Sequence, residues 1–555
     1  MSGAPSSSKF VRLAAVAAGL VAIMLVCPGC SENDAAQRRD ADARPAVEPV
    51  SGGTFRLVTE APASLDPILS QSVYEGLPVN QLFDGLVELD PSLHVMPALA
   101  DTWTISPDGR THRFHLRDGV TFHDGSVLTA GDVVFTFKRL LSPGNAANSL
   151  AGPYAMTVSG AEEFSSGKAV DLSGVRALDD RTVEIELLYP SIYFLEVLSM
   201  DGLRIVPEKV IREIGEEAFG REPVGTGPFQ MGRWLDDSLE LTANPDYFRG
   251  APFLDGIRIG FLPLSENVDY GLGQFLKGEL DMVEPGTSKI SGLKGCPGVS
   301  VRNYQELGLS FLGLGTGNPP LNELEVRQAI AHAVNRDALV AASPEFRRPS
   351  IGLVPPGMNA YSPDPKALPY DPDLSRRLLQ EAGYGPANPL PPISLLNTAR
   401  SAAALGTLAS VRKDLAQVGI RLDVRQVSWS ELGEAITAGK APMFLLAWVA
   451  DLPDPDVFLR GLFESGGASN YFAFEDDEVG RLLELGVRER NPMKRSQLYR
   501  SLERRILSQA PVVPLYHTTG VLSHRQEVHG LDPGPLGIST LPLEKVWILE
   551  EEGGS

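Results

Sequence analysis

From Gly53 onward the chain alternates short strand-like runs with helical runs, and that alternation confines it to α/β lobes. GGTFRLVTE reads as an opening strand, and ASLDPILSQSVYEGLPVNQLFDGLVELD continues as a loop, a helix around Val79 to Phe83 and a short strand. Pro107-Asp108-Gly109 makes a turn, after which Arg110 to Leu116 alternates like a strand. Thr129 and Asp132 stand at capping-box spacing before an apolar run, so a helix begins there. Over 322–340 the spacing of Val326, Ile330, Val334 and Leu339 predicts one helix, and 373–384 predicts a short one stopped by Gly383. The segment after Arg400 reads helix, Gly419, strand, and the same step recurs through 475–525. No short-period repeat is present.

A chain of 555 residues, 43% of them hydrophobic, can bury enough surface for two or three lobes. The formal charge of −21, with no basic run beyond pairs such as Arg347-Arg348, excludes a phosphate-neutralising face, so nucleic acid is not an expected partner. At the N-terminus Lys9 and Arg12 precede a fourteen-residue apolar run from Leu13 to Val26. That is a secretory leader, shorter than the roughly 20 residues a membrane span requires. Gly29-Cys30 resembles the lipobox of bacterial lipoproteins, although Cys27 stands where that motif usually has Leu. The resemblance implies lipidation at Cys30 and loss of 1–29, which removes two cations and leaves a charge of −23. Cys296 is then the one thiol left unmodified, so neither an internal disulfide nor a CxxC zinc site is expected. The polar, aperiodic residues 31–52 form a tether with a reach of roughly 25 Å.

Motifs for chemistry are sparse. His112 and His115 are the close histidine pair of the N-terminal half, and on a strand their odd spacing sends them to opposite faces, against a shared metal ion. His123-Asp124-Gly125 has no GxSxG elbow beside it and reads as a turn. Gly225-Thr226-Gly227-Pro228-Phe229 lacks the Lys of a phosphate loop, and Pro228 removes a donor, so a tight backbone crossing is expected. Near the end, LLAWVADLPDPDVF puts three aspartates beside Trp448. A calcium loop would need Gly at its sixth position and Glu at its twelfth; counted from Asp451, those positions hold Asp456 and Leu462. Asp454 and Asp456 read as turn formers around Pro453 and Pro455. Asp451 instead sits where a buried strand emerges next to an aromatic ring.

Several stretches together resemble the family 5 solute-binding proteins of ABC importers: SLDP (64–67), LFDGL (82–86), 97–137, VGTGPF (224–229), NPDYFRGAPFLDGIRI (244–259), VRQAIAHAVNRDALV (326–340), PLYHTTGVLSHRQEVHGL (514–531) and LPLEKVWI (541–548). They follow the family's order over nearly the whole mature chain. The resemblance implies a two-lobed α/β fold of the periplasmic-binding-protein type (type II, cluster C), with a subdomain inserted in lobe I. The implied boundaries are 53–85, 195–302 and 525–550 for lobe I, 86–194 for the inserted subdomain and 303–524 for lobe II.

In peptide-binding members of that family an Asp closing a W-x-x-D stretch pairs with the ligand ammonium. Trp448 and Asp451 match that stretch, and Trp429 lies at the family's nineteen-residue spacing before Trp448. The resemblance also implies Arg400 as a partner for the ligand carboxylate, and Val73 and Tyr74 as cavity-lining residues. The charge logic is general: an ammonium shut between lobes must be paired. The function implied is capture of short peptides outside the cytoplasm by a monomeric, membrane-anchored lipoprotein, for delivery to an ABC permease and its ATPase subunits. It involves no catalysis, cofactor or metal. A nickel chelate, haem or an oligosaccharide are alternative ligands on the same fold, and a secreted hydrolase is the reading from another class.

Overall fold

The computed structural model describes residues 48–262, 269–285, 289–350, 352–363, 368–399, 401–467 and 469–549. Cys30 and Arg400 lie outside them. The opening strand Thr54–Thr59 pairs in parallel with Gly256–Phe261, which pairs antiparallel with Ser238–Ala243, and Phe229–Trp234 closes this four-stranded sheet. Alternation along TFRLVT buries Phe55, Leu57 and Thr59, and the first two join a core with Leu77, Val79 and Leu82 of the next helix.

That helix runs Val73–Leu82, starting earlier than the helix predicted around Val79 to Phe83. Ser72 accepts a hydrogen bond from the Glu75 amide, and the Glu75 carboxylate accepts from the Gln71 amide. Ser72-Val73-Tyr74-Glu75 is therefore a capping sequence, and it places Val73 and Tyr74 in the first helical turn.

The inserted layer is an antiparallel sheet of Ala100–Ile105, Thr111–Leu116, Thr182–Glu186 and Val175–Asp179, covered by the helix Ala130–Leu140. The Thr129–Asp132 capping box is formed, with the Asp132 carboxylate accepting from the Thr129 amide at 2.9 Å. His112 and His115 do point to opposite faces: His112 is buried against Phe114 and Phe194, and His115 looks outward. Burial pulls the His112 imidazole down to about 4, so it is neutral at physiological pH.

The largest sheet is built on two long antiparallel strands, Val299–Leu314 and Val512–Arg525. Their outer ends feed the first core through Tyr304 and Leu522; Leu307 to Leu314 and Val512 to Leu515 belong to a second, larger core. Two strands thus cross from one lobe to the other, with a register shift between Gln305 and Leu309. Met443–Val449 pairs with the first of them and Ile393–Asn397 follows in parallel, giving the expected two-lobed α/β architecture. The helix predicted over 322–340 is broken: Leu324–Ala333 and Arg336–Ala341 are separated at Val334-Asn335, where the Asn335 side chain caps the second helix. All four apolar positions expected on its inner face are nevertheless buried.

Gly225 and Gly227 form the anticipated backbone crossing. A Cβ on Gly225 would lie 2.0 Å from the Leu82 carbonyl oxygen, and one on Gly227 2.4 Å from that of Gln81. His123 braces the same crossing, its Nδ1 accepting from the Gly225 amide and its Nε2 3.1 Å from the Gly227 oxygen. Replacing Gly225 by Ala is expected to lower unfolding stability by about 1–3 kcal/mol through overpacking. A thermal or urea melt checks it, and wild-type stability would contradict the crossing.

Candidate functional site

The strand Met443–Val449 ends against the first long strand: Val449 pairs with Gly308, and the Ala450 amide donates to the Leu307 carbonyl at 2.9 Å. Asp451 is the next residue out. Its side chain is open to a cavity of about 370 Å³ whose wall also includes Val73, Val449 and Leu452. The Tyr154 hydroxyl, from the inserted subdomain, donates to the Asp451 Oδ2 at 3.3 Å. The enclosing protein raises the Asp451 carboxyl above the ordinary range by desolvation, and the Tyr154 hydrogen bond only partly opposes this.

Of the other carboxylates around the cavity, Glu544 has Lys545 at 3.8 Å, and three more are matched by closer donors. Asp201 accepts from Ser70 Oγ and Asn80 Nδ2 at 2.9 and 3.0 Å. Glu88 is ion-paired with Arg249 at 2.6 Å, and buried Asp84 accepts from Thr226 and Tyr247. Among the described residues, Asp451 is the wall carboxylate held by one long hydrogen bond from a neutral group.

The structure brings Asp451 and Val73 onto one cavity wall. Tyr74, the next residue, turns into the lobe I core. Trp448 is half-buried against the lobe II core, edge-on to Tyr471 at 6.5 Å, and does not line the cavity. Trp429 opens the helix Trp429–Thr437 and is 68% exposed. Tyr154 was not anticipated, because nothing in GPYAM marks a residue that reaches across the cleft to a partner 297 positions away.

Asp454 and Asp456 do more than shape a turn. Asp454 caps the helix Pro455–Phe463 and forms a two-pronged ion pair with Arg495 at 2.6 and 2.8 Å, both side chains buried. Asp456 is fully buried, accepting from Tyr499 at 2.6 Å, Arg460 at 2.9 Å and, across the interface, Tyr193 at 3.3 Å. Leu452, Val457 and Val487 enter the core of the inserted subdomain, so this interface is apolar as well as charged. The turn is held, and Asp451 with it. Among the described residues no group of three or more His, Cys, Asp or Glu is arranged to hold a metal ion, and no helix is long and apolar enough to cross a membrane.

The profile for bacterial extracellular solute-binding proteins, family 5 middle, matches residues 94–470. The chain belongs to that family. It is therefore a solute-binding protein of the extracytoplasmic space. A probable di/tripeptide-binding protein of Pseudomonas aeruginosa is 30% identical over 515 residues, 88% of this chain and 95% of its own length. A haem-binding protein A of Haemophilus influenzae is 28% identical over 548 residues, 93% and 96% of the two chains. The Helicobacter pylori periplasmic binding protein DppA, solved in complex with the peptide STSA, superposes with a TM-score of 0.75 at 26% identity, covering 90% of this chain and 99% of that one.

Arg495→Ala would strand Asp454 as a buried, unpaired carboxylate. We expect about 3–5 kcal/mol of lost stability by denaturant titration, the usual result of removing one partner of a buried pair; a loss under about 1 kcal/mol, as at an exposed pair, would contradict the geometry.

Proposed function

We propose that this chain captures short peptides with a free amino terminus between its lobes and hands them to an ABC permease and its ATPase subunits. The observation that carries the reading is Asp451: a carboxylate on the cavity wall, ending a strand of lobe II, with a single neutral hydroxyl for a partner. A peptide ammonium is one full positive charge with three donors, and it supplies what Asp451 lacks. The di/tripeptide-binding relative and the peptide-bound neighbour support the same ligand class.

Tyr154 and Asp451 meet across the cleft, so a ligand seated there touches both sides only when they close. Ligand binding then draws on the closed population, and the permease reads that state. The crossing strands are the proposed hinge, with 53–85, 195–302 and 525–550 as lobe I, 86–194 as its inserted subdomain and 303–524 as lobe II. Trp448 and Trp429 would come to the ligand by side-chain or lobe movement, and Arg400 would take its carboxylate. The protein is read as a monomer, anchored by lipid at Cys30 through the 31–52 tether, and it makes or breaks no bond.

Asp451→Ala is expected to weaken dipeptide binding by about 2–5 kcal/mol in a calorimetric titration. Unchanged affinity would remove the ammonium assignment, and haem or a nickel chelate carried by the purified protein would replace the ligand class. The pH dependence has a defined sign. Only ionised Asp451 pairs with an ammonium, so affinity is full above its raised pKa and falls as pH drops through it, at a higher pH than an ordinary carboxylate would give. Affinity flat over the whole acidic range would contradict the assignment.

A further inference from the structure

Among the described residues, three cations line the cavity that holds Asp451: Arg204, Arg249 and Lys545. Two of them have a carboxylate of their own, Arg249 with Glu88 at 2.6 Å and Lys545 with Glu544 at 3.8 Å. Arg204 has none at ion-pair distance. Its one side-chain hydrogen bond runs from Nε to the Asn80 Oδ1 at 2.8 Å. Asp84 feels its charge from a distance, but the two Asp84 oxygens already accept from the Thr226 and Tyr247 hydroxyls at 2.8 and 3.0 Å.

The Arg204 guanidinium is nevertheless held in place. The Arg204 amide donates to the Asp201 carbonyl and the Ile205 amide to the Asp84 carbonyl, both at 2.9 Å, which fixes the backbone on either side. Asn80, on the helix Val73–Leu82, is anchored in turn: its Nδ2 donates to Asp201 Oδ1 and to the Ser539 carbonyl, each at 3.0 Å. One edge of the guanidinium is thus pinned to lobe I, and Nη1 and Nη2 have no hydrogen-bond partner among the described residues. Buried arginines elsewhere commit the same atoms to the fold. Arg336 Nη1 donates to the Leu368 carbonyl at 3.0 Å, and Arg347 uses Nη1 on the Leu339 carbonyl at 2.8 Å and Nη2 on Thr407 Oγ1 at 2.9 Å. A planar fork of two nitrogens on a cavity wall matches a carboxylate, which accepts from both at once.

We propose that Arg204 is a specificity-determining residue that receives a carboxylate of the bound peptide, either its C-terminal group or an acidic side chain. The proposal rests on the reading that Asp451 takes the ammonium. The cavity then offers an anion from the strand end of lobe II and a cation from lobe I, so a ligand with charges of both signs is answered from both sides. An analogue without its carboxylate leaves Arg204 without a partner, and a lysyl or arginyl side chain brought to the same point meets a like charge.

Calorimetric titrations of wild-type protein, Arg204→Gln and Asp451→Ala compare Ala-Ala with Ala-Ala amide, Ala-Glu with Ala-Gln, and Glu-Ala with Gln-Ala. Within each pair the second ligand keeps the shape and loses one negative charge. Thermal melts run alongside show that each variant is folded, and Arg204→Met replaces Arg204→Gln should the latter not fold. In at least one pair, wild type is expected to bind the carboxylate about tenfold or more tightly than the amide, tenfold being 1.4 kcal/mol, and in the Arg204 variant that ratio should fall towards one. An effect in the first pair assigns the C-terminal carboxylate to Arg204 in place of Arg400, and an effect in the second or third assigns an acidic side chain at that position. Equal wild-type affinities within all three pairs, or ratios unchanged by the Arg204 substitution, would overturn the proposal. The underlying reading fails separately: it falls if Ala-Ala binding is indifferent to Asp451→Ala, whatever the carboxylate-to-amide ratios. No binding of any of these peptides would overturn both.

Discussion

The two-pronged ion pair between Asp454 and Arg495 is the contact on which the site depends. It lies three residues beyond Asp451, it is buried, and it converts a proline-rich turn into a fixed exit from the strand Met443–Val449. Asp456, shared among Tyr499, Arg460 and Tyr193, ties the same turn to the inserted subdomain. Buried charge of this kind contributes little net stability against an apolar replacement, but it penalises every arrangement that would leave one partner alone. The strand end has one geometry, and Asp451 is presented by it.

Around that fixed point the polar groups divide into two kinds. Asp84, Asp201, Glu88, Asp454 and Asp456 are satisfied within the protein, by arginines, by hydroxyls or by an amide. Asp451 stands on the cavity wall without a cation, and desolvation raises its carboxyl. On the proposed function, that division separates carboxylates that hold the fold from the one that would take a ligand ammonium. It follows from desolvation: a group left short of partners in an enclosed cleft costs free energy until a ligand of opposite charge arrives.

Much of this was legible in the sequence, for local reasons. The Thr129–Asp132 cap, the stop at Gly383, the opposed faces of His112 and His115 and the crossing at Gly225-Thr226-Gly227 each depend on neighbouring residues, and each has the form expected. The break at Asn335 was hidden because the apolar spacing continues through it, and the early start of the Val73–Leu82 helix was hidden although Ser72 and Glu75 signal it. The burial of Asp454 was not legible, because Arg495 lies 41 residues away and an Asp-Pro-Asp sequence looks the same in solvent or in a core. Tyr154 belongs with it: its contact with Asp451 arises from a subdomain brought to the strand end by the fold.

The central claim is that Asp451 meets a ligand ammonium. The most direct measurement compares, by calorimetry on the wild-type protein, a dipeptide with its N-acetylated counterpart, which keeps the shape and removes the charge. A loss of about 2–5 kcal/mol is expected on acetylation, the range for truncating one partner of a desolvated pair. Equal affinity for the two ligands would contradict it.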